Sequence, residues 1–179
     1  QYAILAQQLT QARTQGAQAL ERKVMDVLAE LAMDRCVFSV ALHPADCNEI
    51  DPQGAEHVEF LISTNPGAKP SPLVKIASGG ELSRISLALQ IAAADSTTAP
   101  TMIFDEVDVG IGGAVAEVVG SLLRRLAARV QVLCVTHLAQ VAAMGHHQLR
   151  VSKAVADNSV MTVVTALDAD QRVEEIARM

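Results

Sequence analysis

The chain has 179 residues, and 14 Lys and Arg against 20 Asp and Glu give it a formal charge of −6. That balance argues against a segment that binds nucleic acid generally through its own charge, and the length suits one core, or one domain with an appendage. Half the residues are apolar, yet there is one Tyr, three Phe and no Trp. The core must therefore be built from Ala, Val, Leu and Ile, which suits helices packed on a buried sheet. Cys36, Cys47 and Cys134 are odd in number and contain no Cys-x-x-Cys pair, so neither a zinc site nor a disulfide framework is supported and a reducing, cytoplasmic setting is expected. No apolar run reaches the ~20 residues needed to span a bilayer, and no signal-peptide pattern is visible. The chain begins at Gln1 and stops inside a helical pattern, Val173–Met179, so both ends are expected to be cuts.

Residues 3–34 contain no Pro and a single Gly, and Leu5, Leu9, Ala12, Gly16, Leu20, Val24, Val27 and Leu31 recur every three or four positions. This spacing predicts one helix, about 45 Å long at 1.5 Å per residue. Such a helix is long for a small domain and suits the stump of a coiled coil, although no strict heptad is kept. An amphipathic helix packed on its own domain is the alternative. Two alternating runs, Cys36–Leu42 and Val58–Ser63, predict strands. Residues 65–72 hold Pro66, Pro70 and Pro72 and are expected to be a loop, since proline has no backbone donor. From Gly79 the pattern is helical, until Ala99-Pro100 ends it and starts an apolar strand at Thr101–Phe104. A helix is predicted over 113–129, an apolar strand over Val130–Val135, a short helix after His137, strands near 148–153 and 159–166, and a final helix. Strand–helix–strand units with continuous apolar strands predict a largely parallel, buried sheet.

Four places carry chemistry. Ser78-Gly79-Gly80 opens a helix, where free amides and the helix dipole bind anions and glycines allow close approach; Ser78 as a simple N-cap is the competing reading. Asp105 and Glu106 close an apolar strand, the edge at which α/β sheets place ligands. An acid there can hold Mg²⁺, which wants oxygen ligands, and the adjacent carboxylate can orient and deprotonate a water for attack on phosphorus. His137 follows the next apolar strand in the same way and can donate to a phosphate oxygen or hold the water. Residues 110–115, Gly-Ile-Gly-Gly-Ala-Val, fit a dinucleotide fingerprint poorly, because no Asp or Glu occurs between Glu117 and Asp157 to bind a ribose. A turn beside the carboxylates, with Asp108 as a polar contact, explains them better. His43, His57, His146 and His147 show no metal-ligand spacing, Ser83 and Ser86 have no nucleophile context, and Arg124, Arg125 and Arg129 read as a solvated helix face. No Gly-x-x-x-x-Gly-Lys-Ser/Thr phosphate loop occurs anywhere.

In this order, Ser78-Gly79-Gly80-Glu81-Leu82-Ser83-Arg84, then Phe104 through Gly113, then Val135 through Ala142, the chain resembles the ABC ATPases and, within them, the SMC-like branch with its bacterial DNA-repair members. The likeness covers nearly the whole chain. It implies an α/β fold: the C-terminal lobe of an ABC/SMC-type P-loop ATPase head, a mostly parallel sheet flanked by helices, preceded by a long coiled-coil helix. Residues 1–34 would be the returning coiled-coil arm and 35–179 the lobe, with the phosphate loop in an N-terminal lobe of the same protein. Two heads of such proteins sandwich ATP and Mg²⁺. Ser78, Gly79, Gly80 and Glu81 would contact nucleotide held by the opposite head, and Asp108 would lie in the loop that crosses the dimer interface. Asp105 would assist Mg²⁺, Glu106 would be the general base and His137 the switch histidine. Ala77 stands where many signatures have Leu and Glu81 where many have Gln; the second exchange is common in the SMC-like branch.

The implied function is ATP-driven engagement and release of heads, coupled through the coil to DNA in double-strand-break repair and recombination, in the cytoplasm at the nucleoid and without a membrane partner. No DNA-contacting residue can be named. A transporter's nucleotide-binding domain would carry the phosphate loop in a compact lobe before the signature, where this chain has a long helix. A coiled-coil scaffold without catalysis would not need Asp105, Glu106 and His137. Lacking the phosphate loop, the 179-residue chain alone is expected to release no phosphate from ATP; turnover that disappears in Glu106→Ala would refute this.

Overall fold

The computed structural model describes residues 1–45, 51–76, 78–94, 99–156 and 159–179; Cys47 and Ala77 lie outside them. The chain divides into two compact units, Gln1–Ala99 and Pro100–Met179.

In the first unit the helical stripe becomes α1 (Tyr2–Glu30). It stops four residues before Asp34 because Ala32 adopts a left-handed conformation, φ +56°. Met33 N–H then donates to Leu28 O at 2.9 Å and Ala32 N–H to Ala29 O at 3.2 Å. This closure satisfies carbonyls that helix ends leave open. Most of the burial along α1 lies at its C-terminal end, where Val24, Val27 and Leu28, followed by Leu31, are in the core; nearer its start Ala6 is buried while Ile4 and Leu5 are exposed. The N-terminal half is held by polar contacts as well. Arg13 Nη1 lies 3.2 Å from Glu56 Oε2, Arg13 Nη2 donates to Gln53 O at 2.7 Å, and Thr10 Oγ1 bonds the Glu56 carboxylate.

Strands β1 (Val37–Pro44) and β2 (Glu56–Ser63) pair antiparallel, Val37 opposite Ser63 and Pro44 opposite Glu56. The outer edge of β1 is covered by α1: Phe38 N–H reaches Met25 Sδ at 3.3 Å and Val40 N–H donates to Glu21 Oε1 at 2.7 Å. Those bonds remove an open edge that would otherwise invite another strand. The expected loop over 65–72 is corrected in its last two residues, since Ser71–Pro72 forms β3 against Leu61 and Ile62 of β2. Proline is tolerated there because β3 is short and lies at the sheet's edge. A 3₁₀ turn (Leu73–Lys75) leads toward α2 (Gly79–Ala92), whose inner face buries Ile85, Leu87 and Ala88.

In the second unit β4 (Thr101–Phe104) and β5 (Gln131–Cys134) pair in parallel, Phe104 opposite Cys134, joined through α3 (Gly113–Leu126). Then follow α4 (Ala139–Met144), the antiparallel hairpin β6 (Leu149–Ala156) and β7 (Ser159–Ala166), and α5 (Ala169–Arg178). The α/β class, with helices flanking a parallel sheet, is as expected, and the parallel ladder among the described strands is β4–β5. The apolar strands were expected to form a buried sheet, with apolar surface left exposed in this chain alone where a further lobe belongs. Phe104 is buried, but on the other face Ile103 is 69% and Val135 62% exposed. No helix among the described residues is long and apolar enough to cross a membrane.

Two arginines fix the end of α4. Arg172 of α5 donates to Ala142 O (3.2 Å), Ala143 O (2.8 Å) and Gly145 O (2.5 Å). Arg124 of α3 donates to Met144 O at 2.8 Å. Cations on the last carbonyls of a helix satisfy open acceptors and complement its dipole. Arg124 is exposed, but this bond gives it a structural role the solvated-face reading lacked. Helix α5 is started by a capping box, Asp168 Oδ1 accepting from Gln171 N–H at 2.9 Å and Gln171 Oε1 from Asp168 N–H at 3.2 Å.

Helices α3 and α4 meet at Gly120, where a Cβ would lie 2.8 Å from Met144 Cγ and 3.3 Å from Gln140 O. Gly120→Ala should therefore overpack the contact and cost about 1–3 kcal/mol. A lower unfolding midpoint in denaturant is the expected result; an unchanged midpoint would show that α4 yields.

Candidate active site

The parallel register places the carboxyl ends of β4 and β5 side by side. Val135 N–H donates to Phe104 O at 2.9 Å, so Asp105 and Thr136-His137 leave the sheet next to one another. Asp105 is exposed, and its Oδ1 accepts from Glu106 N–H at 3.0 Å. Glu106 has φ +58°, a left-handed conformation unfavourable for a residue with a Cβ. That twist starts the turn closed by Val109 N–H donating to Glu106 O at 3.3 Å, and it sends the chain of residues 107–108 inward.

Asp108 is the buried member, 2% exposed. Its Oδ2 accepts from Thr136 Oγ1 at 2.5 Å and from His137 N–H at 3.1 Å, and His137 Nδ1 lies 3.3 Å away. Thr136 Oγ1 in turn accepts from Leu138 N–H at 3.0 Å. One carboxylate thus ties the turn after β4 to the loop after β5, while the His137 side chain stays 68% exposed. The residues themselves offered Asp108 as a polar contact of the turn, the resemblance placed it in a loop crossing a dimer interface, and Thr136 was given no role. Nothing in their spacing shows that the two loops meet.

Among the described residues no group of three or more His, Cys, Asp and Glu side chains gathers as a metal cage. A single exposed carboxylate is nevertheless a suitable donor for Mg²⁺, which commonly takes one or two carboxylates and completes its shell with waters and substrate phosphates. Asp105 fits that description.

The remaining candidates lie in the first unit. Ser78 is the N-cap of α2, its Oγ accepting from Glu81 N–H at 3.4 Å. Capping is thus an observed role for the serine, and it leaves the amides of Gly79 and Gly80 at the open end of the helix. A Cβ at Gly79 would meet nothing within 4 Å, and its φ is not left-handed. Among the described residues, packing gives no reason for glycine at that position. A cleft of about 270 Å³ flanks this helix start, lined in part by Arg35, Cys36, Glu81 and Arg84. Burial there pushes the Cys36 thiol pKa up, with Glu81 adding to the shift and Arg84 opposing it.

Cys134, at the end of β5, is pushed up to about 12, first by burial and then by Asp108 and Asp105. Folding therefore retains its proton where an unfolded thiol ionises, so stability is present below about pH 9 and falls as pH rises toward 12. Cys134→Val should flatten that alkaline decline in an unfolding series, and a slope identical to the parent's would contradict this. Alkylation of the Cys134 thiol near pH 8.5 should likewise lag well behind a free thiol.

No protein-family model matches the chain. Curated relatives do. It is 52% identical over 174 residues to DNA repair protein RecN of Xylella fastidiosa (strain 9a5c), covering 97% of this chain and 31% of that protein. With RecN of Haemophilus influenzae it shares 51% over 171 residues, 96% of this chain and 30% of that protein. With RecN of Rickettsia bellii it shares 38% over 179 residues, 100% of this chain and 32% of that protein. Among solved structures, the Smc head domain from Pyrococcus yayanosii aligns with TM-score 0.65 and 20% identity, over 90% of this chain and 29% of that one. A structure from a study of ATP-driven dimerization and DNA-stimulated activation of SMC ATPases aligns with TM-score 0.55 and 18% identity, over 99% and 96%. The fold is that of an SMC head, and along 97% of its length the chain is RecN-like, spanning about a third of such a protein.

Proposed function

We propose that the chain is the ATP-binding and ATP-hydrolysing head segment of an SMC-like DNA-repair protein, carrying the general base, the Mg²⁺ carboxylate and the switch histidine. The observation that carries this reading is the convergence of Asp105, Glu106, Asp108 and His137 at the carboxyl ends of adjacent parallel strands. In this reading Glu106 accepts the proton of the attacking water. His137 holds the γ-phosphate or that water through its exposed ring. Asp105 supplies a ligand to Mg²⁺, which when bound neutralises charge developing on the phosphates. The strained φ of Glu106 supports a functional role, because such conformations gather at working sites.

Ser78, Gly79, Gly80 and Glu81 are assigned to nucleotide held by a second head. Glycine at 79 without an internal packing need suits a position where a phosphate comes close to the backbone. The phosphate loop is assigned to an N-terminal lobe of the same protein, and the bare face of β4–β5 with Ile103 and Val135 is the kind of surface such a lobe covers. Residues 1–34 are assigned to the returning arm of a coiled coil, which the exposed Ile4 and Leu5 at the far end of α1 favour. The relatives' name adds DNA repair, and the SMC ATPase neighbour adds ATP-driven dimerisation and stimulation by DNA. DNA is engaged by the full-length protein, in the cytoplasm at the nucleoid, during double-strand-break repair and recombination.

Light scattering on a head with its N-terminal lobe restored tests this. Glu106→Gln should cut ATP turnover by about 10²-fold or more and shift the head from monomer to dimer with Mg-ATP. Ser78→Arg in that background should return it to monomer. A head that binds ATP, hydrolyses it at the parental rate in Glu106→Gln and stays monomeric would overturn the reading.

A further inference from the structure

The buried Asp108 carboxylate presents an acceptor to three groups of the neighbouring loop, Thr136 Oγ1, His137 N–H and His137 Nδ1, at 2.5, 3.1 and 3.3 Å. An ionised carboxylate has no donor. The contact with Nδ1 is therefore favourable only when that nitrogen carries the proton, and this fixes the tautomer of the neutral ring. Backbone and ring of His137 are held at two points by one group, and the Thr136 hydroxyl has its direction fixed because it also accepts from Leu138 N–H. With Asp108 at 2% and the His137 side chain at 68% exposure, the carboxylate is on the inner side of the ring and Nε2 on the outer side.

We infer that Asp108 is a positioning residue. It holds His137 with Nδ1 protonated and Nε2 directed outward to the triphosphate, and it acts on hydrolysis through that ring without touching nucleotide or a second head itself. This rests on the site reading above and departs from the interface role first expected of Asp108. The same logic makes a buried carboxylate behind a working histidine worth orders of magnitude in rate elsewhere.

The test is a double-mutant cycle in the full-length protein that contains this segment, reading ATP turnover and binding of a fluorescent ATP analogue. Asp108→Asn should lower kcat about 10–100-fold with nucleotide affinity changed by no more than about 3-fold. In a His137→Ala background the same substitution should cost no more than about 2-fold, since groups that act as a unit are not additive. Equal fold losses in the two backgrounds, or a raised KM with kcat unchanged, would overturn the inference, because Asp108 would then act on nucleotide or partner directly. Should Asp108→Asn not fold, Thr136→Val carries the test. It should lower kcat several-fold only while His137 is present, and Thr136→Ser should restore it; parental turnover in Thr136→Val would overturn the inference. If His137→Ala itself keeps parental turnover, the site reading fails and this inference with it, whereas a strong His137 effect with additive Asp108 loss removes this inference alone.

Discussion

A single oxygen, Asp108 Oδ2, joins the two loops that leave β4 and β5. Burying a carboxylate is costly unless hydrogen bonds replace its water, and here Thr136 and His137 supply bonds to Oδ2. The ladder of β4 and β5 brings the strand ends together, and Asp108 ties the two loops that leave them to one another.

The helices around this point serve the same end. Helix α4 starts immediately after His137 and Leu138, and its far end is fastened by Arg172 and Arg124. A helix of six residues gains little from its own hydrogen bonds. Its rigidity comes from these arginines and from its close approach to α3 at Gly120. The loop that carries His137 thus lies between two fixed points, the buried carboxylate before it and the clamped helix after it. In the first unit the arrangement is looser: α1 is held by a hydrophobic end and a polar one, and its side chains occupy the edge of β1.

Much of the fold was legible in the residues themselves. The period of the apolar positions placed the helices and all but the shortest strand, because a buried face repeats at 3.6 or 2 whatever it packs against. Where the reading missed, the reason is tertiary. Residues 71–72 pair with β2 although proline-rich, since an edge strand needs only one side of its backbone. Helix α1 ends early because Ala32 accepts a left-handed conformation that no alanine advertises. The open face of the β4–β5 sheet is no miss of that kind, since exposed apolar surface was expected of this chain alone.

For the site, sequence order alone selected Ser78, Asp105, Glu106 and His137: a glycine-rich helix start, acids at the end of an apolar strand and a histidine at the end of the next are each local patterns, and local patterns survive in one dimension. The roles of Asp108 and Thr136 could not be read this way. They stand 28 residues apart, and their bond exists only because β4 and β5 pair in one register and the turn at Glu106 carries Asp108 inward. The sequence by itself determined the types and order of the chemical groups, because those follow from composition and spacing. Which group is buried, which is exposed and which nitrogen of His137 faces Asp108 were decided by the tertiary structure, because they depend on contacts between residues distant along the chain.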